Sequence, residues 1–454
     1  MTAASLLIRN TTVVDPQGSR TAVLPAHDIV VAGNRIADIR PTAPGVPVPP
    51  PGDQAGGAAE VIDGTGLVAL PGLINCHAHA AMVLFRGAAE DVTIEAWFND
   101  HIWPMESNLT PDDVYWGALL AAAEMIQSGI TTVADHYFHM DRVAQAMADA
   151  GLRAHLAPTM FGHNPRQELD AAADFAATWS GAAGGRITAW LGPHAPYTCP
   201  PDFLREVGGE ARRLGLGVHI HVSETVQQVL TSLQRHRRTP IGVLEDAGLL
   251  EVPLLCAHAA HATPEDVTLL ASSGAGVAHC PKTFLKLAAG IAPVVAMRRH
   301  GIPVGLGTDG AASNNTLDIV EQMRLAALLQ KHTQGDPRVL TVDEALALAT
   351  GEGARALRQG ETLGRLAPGF LADIILVRVD GVHTRPSHDL RAALVYGVRA
   401  SDVDTVIVDG RVLMRGRRLL TVDIEQALRE AQDRMARLAE RGHGRRMHTY
   451  DVNG

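Results

Sequence analysis

The sequence is poor in lysine, cysteine and aromatic residues, and it has no excess of basic charge. Of its 454 residues three are lysines and four are cysteines, and aromatic side chains make up 4%. The formal net charge of −10 argues against binding to nucleic acid or to an anionic membrane, because both require a basic surface. Hydrophobic residues nevertheless reach 46%, which is ample for a large core.

The cysteine spacing and the apolar runs indicate in which cellular compartment the protein is found. The four cysteines lie far apart and never as Cys-x-x-Cys, so neither a disulfide framework nor a thiolate zinc site is predicted. Residues 1–15 lack the charged and apolar regions of a secretory signal. The most apolar helical candidate, 116–126, is too short to cross a bilayer and contains Glu124. We therefore expect a soluble, cytoplasmic protein.

Both ends of the chain predict strands. Apolar and polar residues alternate over 6–14 and 28–39, with Gly33-Asn34 as a turn, and a Pro/Gly/Ala-rich stretch at 41–59 predicts a loop. Strands are also predicted at 372–378 and 403–413, with Asp409-Gly410 as a hairpin turn. We expect one small β-sandwich domain built from residues 1–69 and 365–454. Its last segment, 424–441, predicts a helix that packs on this domain.

The middle of the chain, residues 70–364, predicts an α/β fold. Short apolar runs alternate with helix-length amphipathic stretches, which is the pattern of repeated βα units. One helix is clearly bounded, with Thr110 as N-cap, Pro111 at the first position and Asp113 at the third. A strand follows at 130–134, with Asp135-His136 at its end. This segment is therefore predicted to form a TIM-type (β/α)₈ barrel.

Chemically reactive residues recur where the predicted barrel strands end. These residues are His77, His79, His221, Glu224, His258 and Asp309. In a β/α barrel all strand ends converge on the C-terminal mouth, where active sites are found. The His-x-His spacing places two imidazoles on the same side of a strand, which suits two ligands of one ion. Imidazoles with a carboxylate, leaving room for water, are typical of a catalytic zinc site, in which the ion supplies hydroxide at neutral pH.

Several of these residues also have a simpler interpretation when taken singly. A His-x-His pair can arise by chance among 21 histidines, Glu224 can be a helix N-terminal carboxylate, and Asp309 can be a turn residue. His219 is expected to fill an interior layer of the barrel. His261 is expected to support a ligand rather than to be one. The occurrence of the whole set in this order favours the metal site.

The distribution of lysine favours a single ion. Some barrel hydrolases bridge two metal ions with a carbamylated lysine that precedes the third histidine ligand. The lysines here are Lys282, Lys286 and Lys331, and all of them follow His221. A site with one metal ion per subunit is therefore expected.

Three motifs resemble the amidohydrolase superfamily. They are PGLINCHAH at 71–79, HIHVSET at 219–225 and GTDGAASNN at 307–315. More narrowly, the chain is similar to the S-adenosylhomocysteine/5′-methylthioadenosine deaminase branch, which neighbours the s-triazine hydrolases. Similar segments occur over nearly the whole chain, at 86–87, 103–106, 137–139, 192–197 and 290–293.

The resemblance implies a role for each matching residue. His77, His79, His221 and Asp309 match the metal ligands, with Zn²⁺ expected and Fe²⁺ or Mn²⁺ possible for the same ligand set. Asp309 also acts in catalysis, Glu224 matches the residue that shuttles protons to the ring nitrogen, and His258 matches the histidine beside the metal-bound water. The residues expected to contact the substrate are Met82, Trp103, Glu106 and His194, and Glu106 matches a glutamate that holds ribose hydroxyls.

The implied reaction is hydrolytic deamination of the 6-amino group of an adenosine-type nucleoside, which gives a 6-oxo purine and ammonia. Relatives suggest a homodimer or homotetramer. Members that accept S-adenosylhomocysteine have an arginine where this chain has Pro158, and Arg166 is the candidate replacement. Phe284 also stands where relatives often have asparagine. An uncharged 5′ group, as in 5′-methylthioadenosine, is therefore expected to be preferred over S-adenosylhomocysteine.

Two other functions are compatible with the same residues. One is hydrolysis of another amino- or chloro-heterocycle, such as an s-triazine, guanine or a pterin. The other is a non-catalytic scaffold with the same fold, which the complete set of candidate catalytic residues disfavours. The zinc cytidine-deaminase fold is disfavoured because the chain has no Pro-Cys-x-x-Cys motif.

Overall fold

The computed structural model describes residues 5–43 and 60–440, so residues 44–59 of the predicted loop lie outside the described part. The chain ends contribute nine strands to one mixed, mostly antiparallel sheet. These strands are Leu6–Gln17, Arg20–Ala32, Arg35–Pro41, Glu60–Asp63, Leu67–Pro71, Ile374–Arg378, Val403–Val408, Arg411–Arg415 and Arg418–Leu419. Residues from both ends of the chain share one apolar cluster, in which Ile8 lies with Ile374 and Ile407.

The middle of the chain forms the barrel, with its strands in parallel. We number its strands one to eight: Leu73–His79, Ile130–Tyr137, Arg153–Met160, Ile187–Ala189 with Gly192–Pro193, Val218–Val222, Leu254–His258, Gly276–His279, and Val304–Leu306 with Asp309–Gly310. A bridge between Leu191 and Val218 joins strands four and five. Asp309 and Gly310 pair with strand one and so close the ring.

Helices follow the barrel strands, as expected for βα units. They are Pro111–Gln127, Met140–Ala150, Pro165–Trp179, Pro201–Leu214, Val226–His236, Pro240–Asp246, Pro264–Ser273, Pro281–Lys286, Val294–Arg299, Ile319–Gln334, Val342–Leu348 and Gly351–Ala356, and the chain also has Ile424–Glu440. Shorter helical segments are Ala80–Phe85, Ile94–Ala96, Trp97–Ile102, Trp103–Glu106, Ala182–Gly185, Leu249–Glu251, Ala311–Asn314, Leu390–Ala392, Ala393–Gly397 and Ala400–Asp402.

The predicted start of the helix Pro111–Gln127 is confirmed. The Thr110 hydroxyl accepts from the backbone N–H of Asp113, and the Asp113 carboxylate accepts from the backbone N–H of Thr110. This reciprocal capping satisfies donors that the first turn would otherwise leave unpaired.

The nine-stranded sheet is attached near the bottom of the barrel, away from the mouth. Arg153, the first residue of strand three, is 3% exposed and pairs with Asp373 at 2.9 Å and with Asp409 at 3.0 Å. Removing one partner of such a buried pair would leave an uncompensated charge. The division of the chain at 69/70 and 364/365 stays a prediction; Pro71 ends a sheet strand and Leu73 begins the barrel.

The prediction that the last helix packs on the β domain is wrong. The helix Ile424–Glu440 packs mainly against the barrel helix Pro111–Gln127. Arg434 and Arg437 pair with the carboxylates of Asp112 and Asp113 in the first turn of that helix. The carboxylate of Asp113 is fully buried, so the two arginines compensate its charge where the last helix meets the barrel.

The other sequence expectations concern cysteines and membrane spans. All four cysteines are buried and free, so neither a disulfide nor a paired thiolate is formed. Among residues 5–43 and 60–440, no helix combines the length and the hydropathy that crossing a bilayer requires.

Candidate metal centre and active site

The structure brings the six candidate residues together at the C-terminal mouth of the barrel. His77 and His79 lie at the end of strand one. His221 lies one residue before the end of strand five, and His258 is the last residue of strand six. Asp309 begins the second part of strand eight, and Glu224 follows strand five. The convergence depends on the parallel direction of the strands, which places every strand end at the same rim.

Four side-chain atoms converge on one point. Nε2 of His77 and Nε2 of His79 lie 3.4 Å and 3.2 Å from Oδ1 of Asp309. Nε2 of His221 lies 3.3 Å from Nε2 of His79. Three imidazole nitrogens and one carboxylate oxygen at such spacing match the ligand set of a catalytic zinc site.

The opposite nitrogens of the three rings are held by hydrogen bonds. Nδ1 of His79 lies 2.6 Å from the carbonyl of His136, and Nδ1 of His221 lies 2.8 Å from the carbonyl of His194. A carbonyl can only accept, so each Nδ1 carries a proton, which leaves Nε2 as the atom of each ring that can bind a metal ion. Nε2 of His77 is buried and lies 3.4 Å from Oδ1 of Asp309. The three Nε2 atoms and this carboxylate oxygen are therefore grouped closely enough to bind one divalent cation.

The electrostatics of the site attract positive charge. Burial lowers the pKa of His77 to about 3 and the pKa of His221 well below its usual range. Burial also acts to lower the pKa of His79, but the hydrogen bond and the charge of Asp309 outweigh it and raise that pKa to about 9. Burial would raise the pKa of Asp309, yet the hydrogen bonds of His77 and His79 hold it well below its usual range. The carboxylate of Asp309 is therefore ionised, and its charge favours a cation at the Nε2 side of His79.

Close packing explains the two glycines of the motif around Asp309. A Cβ on Gly310 would lie 2.5 Å from the sulfur of Met82, and a Cβ on Gly307 would lie 2.9 Å from Cβ of His77. Asp309 itself has φ +59°, and its Oδ2 accepts a hydrogen bond from Ser313 at 2.7 Å. A left-handed backbone is strained for a residue with a side chain, and such strain is concentrated at functional sites.

Glu224 and His258 stand beside the four converging atoms. Nε2 of His258 lies 3.7 Å from Oε1 of Glu224. Burial raises the pKa of Glu224, so this carboxyl group can hold a proton at a higher pH than a solvated one. The helix Val226–His236 begins after its N-cap Thr225, so Glu224 precedes the cap and does not lie in the first helical turn.

The predicted substrate residues line the cavity above the converging atoms. Met82, Trp103, Glu106 and His194 all face this cavity, together with His79, His221, Glu224, His258 and Asp309. Burial raises the pKa of Glu106 to about 7, with the neighbouring Tyr137 hydroxyl acting in the opposite direction. Oε1 of Glu106 and Nε1 of Trp103 are buried without a hydrogen-bond partner. These atoms are therefore available to a ligand.

A second cavity of about 300 Å³ lies behind Glu106 and contains Pro158 in its wall. It shares Trp103 and Glu106 with the first cavity. Arg166 does not line either cavity. Its side chain is 91% exposed and pairs with Asp170 at 3.2 Å on the helix Pro165–Trp179, rather than lying in a loop.

Three further residues named in the sequence analysis, His219, His261 and Phe284, lie near the site. His219 is buried in the barrel as expected, and its Nε2 also lies 2.9 Å from Nδ1 of His77. The supporting role of His261 stays a prediction; its Nε2 lies 2.6 Å from the carbonyl oxygen of Ala289. Phe284 is 1% exposed, and its ring lies 5.7 Å from the ring of His258.

Sequence reasoning missed several residues that shape the site. Asn75 joins strands one and eight, because its side chain donates to the Thr308 hydroxyl at 2.7 Å and accepts from the Thr308 backbone at 3.0 Å. Tyr137 and Thr159 line the main cavity, as does His136, which the sequence places at the end of strand two. A polar Asn two residues before the His-x-His pair is the signal for Asn75, whereas Thr159 carries no signal in the sequence.

Comparisons with known proteins agree with this geometry. The model of the amidohydrolase family matches residues 68–413. A 5-methylthioadenosine/S-adenosylhomocysteine deaminase of Desulforudis audaxviator is 49% identical over 437 residues, which cover 96% of this chain and 99% of that protein.

Two solved structures are also similar. An adenosine deaminase from Xanthomonas campestris with bound zinc gives a TM-score of 0.89 at 29% identity, covering 96% of this chain and 99% of that one. An atrazine chlorohydrolase from Arthrobacter aurescens, complexed with zinc, gives 0.83 at 26% identity, covering 95% and 100%. These zinc-containing neighbours and the histidine cluster support a metal cofactor in this chain.

Proposed function

Because the chain belongs to the amidohydrolase family, we propose that it is a metal-dependent hydrolytic deaminase of adenosine-type nucleosides. The reaction consumes water, replaces the 6-amino group with a 6-oxo group and releases ammonia. The observation that carries the proposal is the convergence of three Nε2 atoms and Oδ1 of Asp309 beside Glu224 and His258. A scaffold without catalysis has no need of this arrangement.

We propose that His77, His79, His221 and Asp309 hold one Zn²⁺ ion. The donor set of three imidazoles and one carboxylate suits this ion and also accepts Fe²⁺ or Mn²⁺. When bound, such an ion acts as a Lewis acid and lowers the pKa of a coordinated water to about 7. The convergence of the three Nε2 atoms and Oδ1 of Asp309 supports this assignment.

The proton transfers belong to residues of the chain. Glu224, with its raised pKa, holds a proton that it donates to the ring nitrogen next to the reacting carbon. Asp309 and Nε2 of His258 orient the attacking water by hydrogen bonding. Glu224 then takes up a proton from the attacking water and passes it to the departing amine, so that ammonia leaves as a neutral molecule. The second proton of the water restores the protonated form of Glu224.

The substrate is positioned by the cavity wall. We propose that Glu106 accepts hydrogen bonds from ribose hydroxyls, and that Met82, Trp103 and His194 contact the base and the sugar. The 5′ group extends towards the cavity behind Glu106, where Pro158 stands and where, among residues 5–43 and 60–440, no arginine or lysine lies in the wall. An uncharged 5′ group, as in 5′-methylthioadenosine, therefore fits better than the zwitterionic tail of S-adenosylhomocysteine.

The test is ammonia release by zinc-loaded protein from a panel of substrates. The panel is adenosine, 5′-methylthioadenosine, 5′-deoxyadenosine, S-adenosylhomocysteine, guanine and melamine. Turnover of the adenosines, fastest with uncharged 5′ groups, is expected. Turnover of guanine or melamine alone would refute the nucleoside assignment and support hydrolysis of another heterocycle.

Two further properties complete the proposal. We propose a homodimer or homotetramer, which sedimentation of the full chain would test. We also propose a cytoplasmic location, which the four free buried thiols support because oxidising compartments favour disulfides.

A further inference from the structure

The ring of His136 makes two hydrogen bonds at the wall of the active-site cavity. Its Nε2 lies 3.1 Å from the carbonyl oxygen of Gly192. Its Nδ1 lies 3.0 Å from the hydroxyl oxygen of Thr159. The side chain is 1% exposed, so water does not compete for either nitrogen.

The two bonds together fix the direction of the Thr159 hydroxyl. A carbonyl oxygen can only accept, so Nε2 of His136 must carry the proton and donate it to Gly192. In the neutral ring Nδ1 is then an acceptor, and the hydroxyl of Thr159 must donate its single proton to it. The remaining lone pairs of the Thr159 oxygen can accept hydrogen bonds, but this oxygen has no proton left to donate.

The backbone holds this chain of hydrogen bonds in place. Gly192 pairs with Thr159 in the barrel sheet, and a Cβ at position 192 would lie 2.5 Å from the carbonyl oxygen of Pro158. A residue other than glycine at position 192 would therefore keep strands three and four further apart. The carbonyl of Gly192 therefore stays within reach of His136.

Thr159 faces the same space as Glu106. Both residues line the active-site cavity and also the cavity behind it. Glu106 is only 6% exposed, and within the described part of the chain its Oε1 has no hydrogen-bond partner. The ionised carboxylate of Glu106 is an acceptor. The Thr159 hydroxyl already donates its proton to His136, so towards a ligand it is an acceptor as well. A ligand placed between the two must therefore offer hydrogen-bond donors.

On the basis of the proposed nucleoside deaminase function, we propose that Thr159 is a specificity-determining residue that accepts a hydrogen bond from a sugar hydroxyl. Together with Glu106 it recognises the vicinal diol of a ribonucleoside. A sugar lacking one hydroxyl would leave one of the two acceptors without a partner. A buried polar group left unpaired in this way discriminates strongly between analogues.

The test compares adenosine, 2′-deoxyadenosine and 3′-deoxyadenosine as substrates of the native protein and of two variants. Thr159→Val keeps the shape of the side chain but removes the oxygen, whereas Thr159→Ser keeps the oxygen. For Thr159→Val we expect kcat/KM for adenosine to fall about 10- to 100-fold, mainly through KM. For one of the two deoxynucleosides we expect less than a twofold change, so that discrimination against it disappears. Thr159→Ser should retain most of the discrimination.

A purely structural role of Thr159 gives a different result. If Thr159 only holds His136 in place, Thr159→Val lowers kcat/KM for all three nucleosides by the same factor and lowers the bound metal per subunit. That outcome would overturn the proposal while leaving the deaminase function intact. If the native protein neither deaminates any nucleoside nor binds inosine in calorimetry, both the function and this inference are overturned.

Discussion

Nδ1 of His77 and Nε2 of His219 are joined by a hydrogen bond of 2.9 Å inside the barrel. If Nε2 of His77 is to hold a metal ion, its Nδ1 must carry the proton and donate it to His219. His219 must then be protonated on its own Nδ1. The tautomers of two buried rings are thereby linked, and His219 orients His77 although it does not face the cavity.

His219→Leu is expected to weaken metal binding by about 10- to 100-fold, because His77 loses the partner that fixes its tautomer and orientation. Bound zinc per subunit, measured while a chelator competes for the ion, gives the affinity. His155→Leu is the matched control, since His155 is an equally buried barrel histidine that packs against Trp190. Equal zinc affinity in the native protein and in His219→Leu would contradict the orienting role.

Glu224→Gln is expected to lower kcat about 10²- to 10⁴-fold, because the amide cannot transfer a proton to the substrate. Zinc content should stay at one ion per subunit, since Glu224 is outside the proposed ligand set. Initial rates of ammonia release and metal analysis of the same sample check both points. Glu251→Gln, at a surface carboxylate that is 72% exposed, should behave like the native protein. Loss of zinc in Glu224→Gln would instead indicate a structural role.

Glu106 should give nucleoside binding a pH dependence. Burial raises the pKa of this carboxyl to about 7, so it is protonated in acid and ionised in base. The ionised form is the stronger acceptor for a ribose hydroxyl, so KM for adenosine should fall as pH rises from 6 to 8. In Glu106→Gln we expect a higher KM that is the same at both values. A native KM independent of pH would contradict the assignment.

The raised pKa of Glu106 also makes the free energy of unfolding depend on pH. The folded state binds the Glu106 proton more tightly than the unfolded chain, whose glutamate pKa is about 4.3. Stability is therefore lost as pH rises from about 4 through 7. Glu106→Gln should raise the free energy of unfolding by up to about 3 kcal/mol at pH 8, and by little at pH 4. Urea denaturation at the two pH values measures the difference, and a variant that is no more stable at pH 8 would refute it.

Pro158→Arg should shift substrate preference towards a charged 5′ tail. The new guanidinium would enter the cavity behind Glu106, where it could pair with a carboxylate on the ligand. We expect the ratio of kcat/KM for S-adenosylhomocysteine over 5′-methylthioadenosine to rise about tenfold or more. Arg166→Ala, at an exposed residue paired with Asp170, should leave that ratio unchanged. A large fall of the ratio in Arg166→Ala would show that this arginine does reach the substrate.

The sequence by itself determined the barrel, the sheet from the chain ends and the residues gathered at the mouth. Strand alternation and helix caps are local signals: Thr110 and Asp113 lie within one turn, and the His77–His79 spacing depends only on the two-residue period of a strand. The parallel order of βα units then carries every strand end to one rim, so His221, His258 and Asp309 could be grouped without coordinates.

Only the tertiary structure decided which groups touch one another. The amphipathic pattern of the last helix shows that it has an apolar face but not which surface covers that face, and the pairs of Arg434 and Arg437 with Asp113 link residues more than 300 positions apart. The hydrogen bonds from His219 to His77 and from Thr159 to His136 likewise join different strands. A hydrogen bond depends on distances of a few tenths of an ångström between such strands, and no periodicity in the sequence encodes those distances.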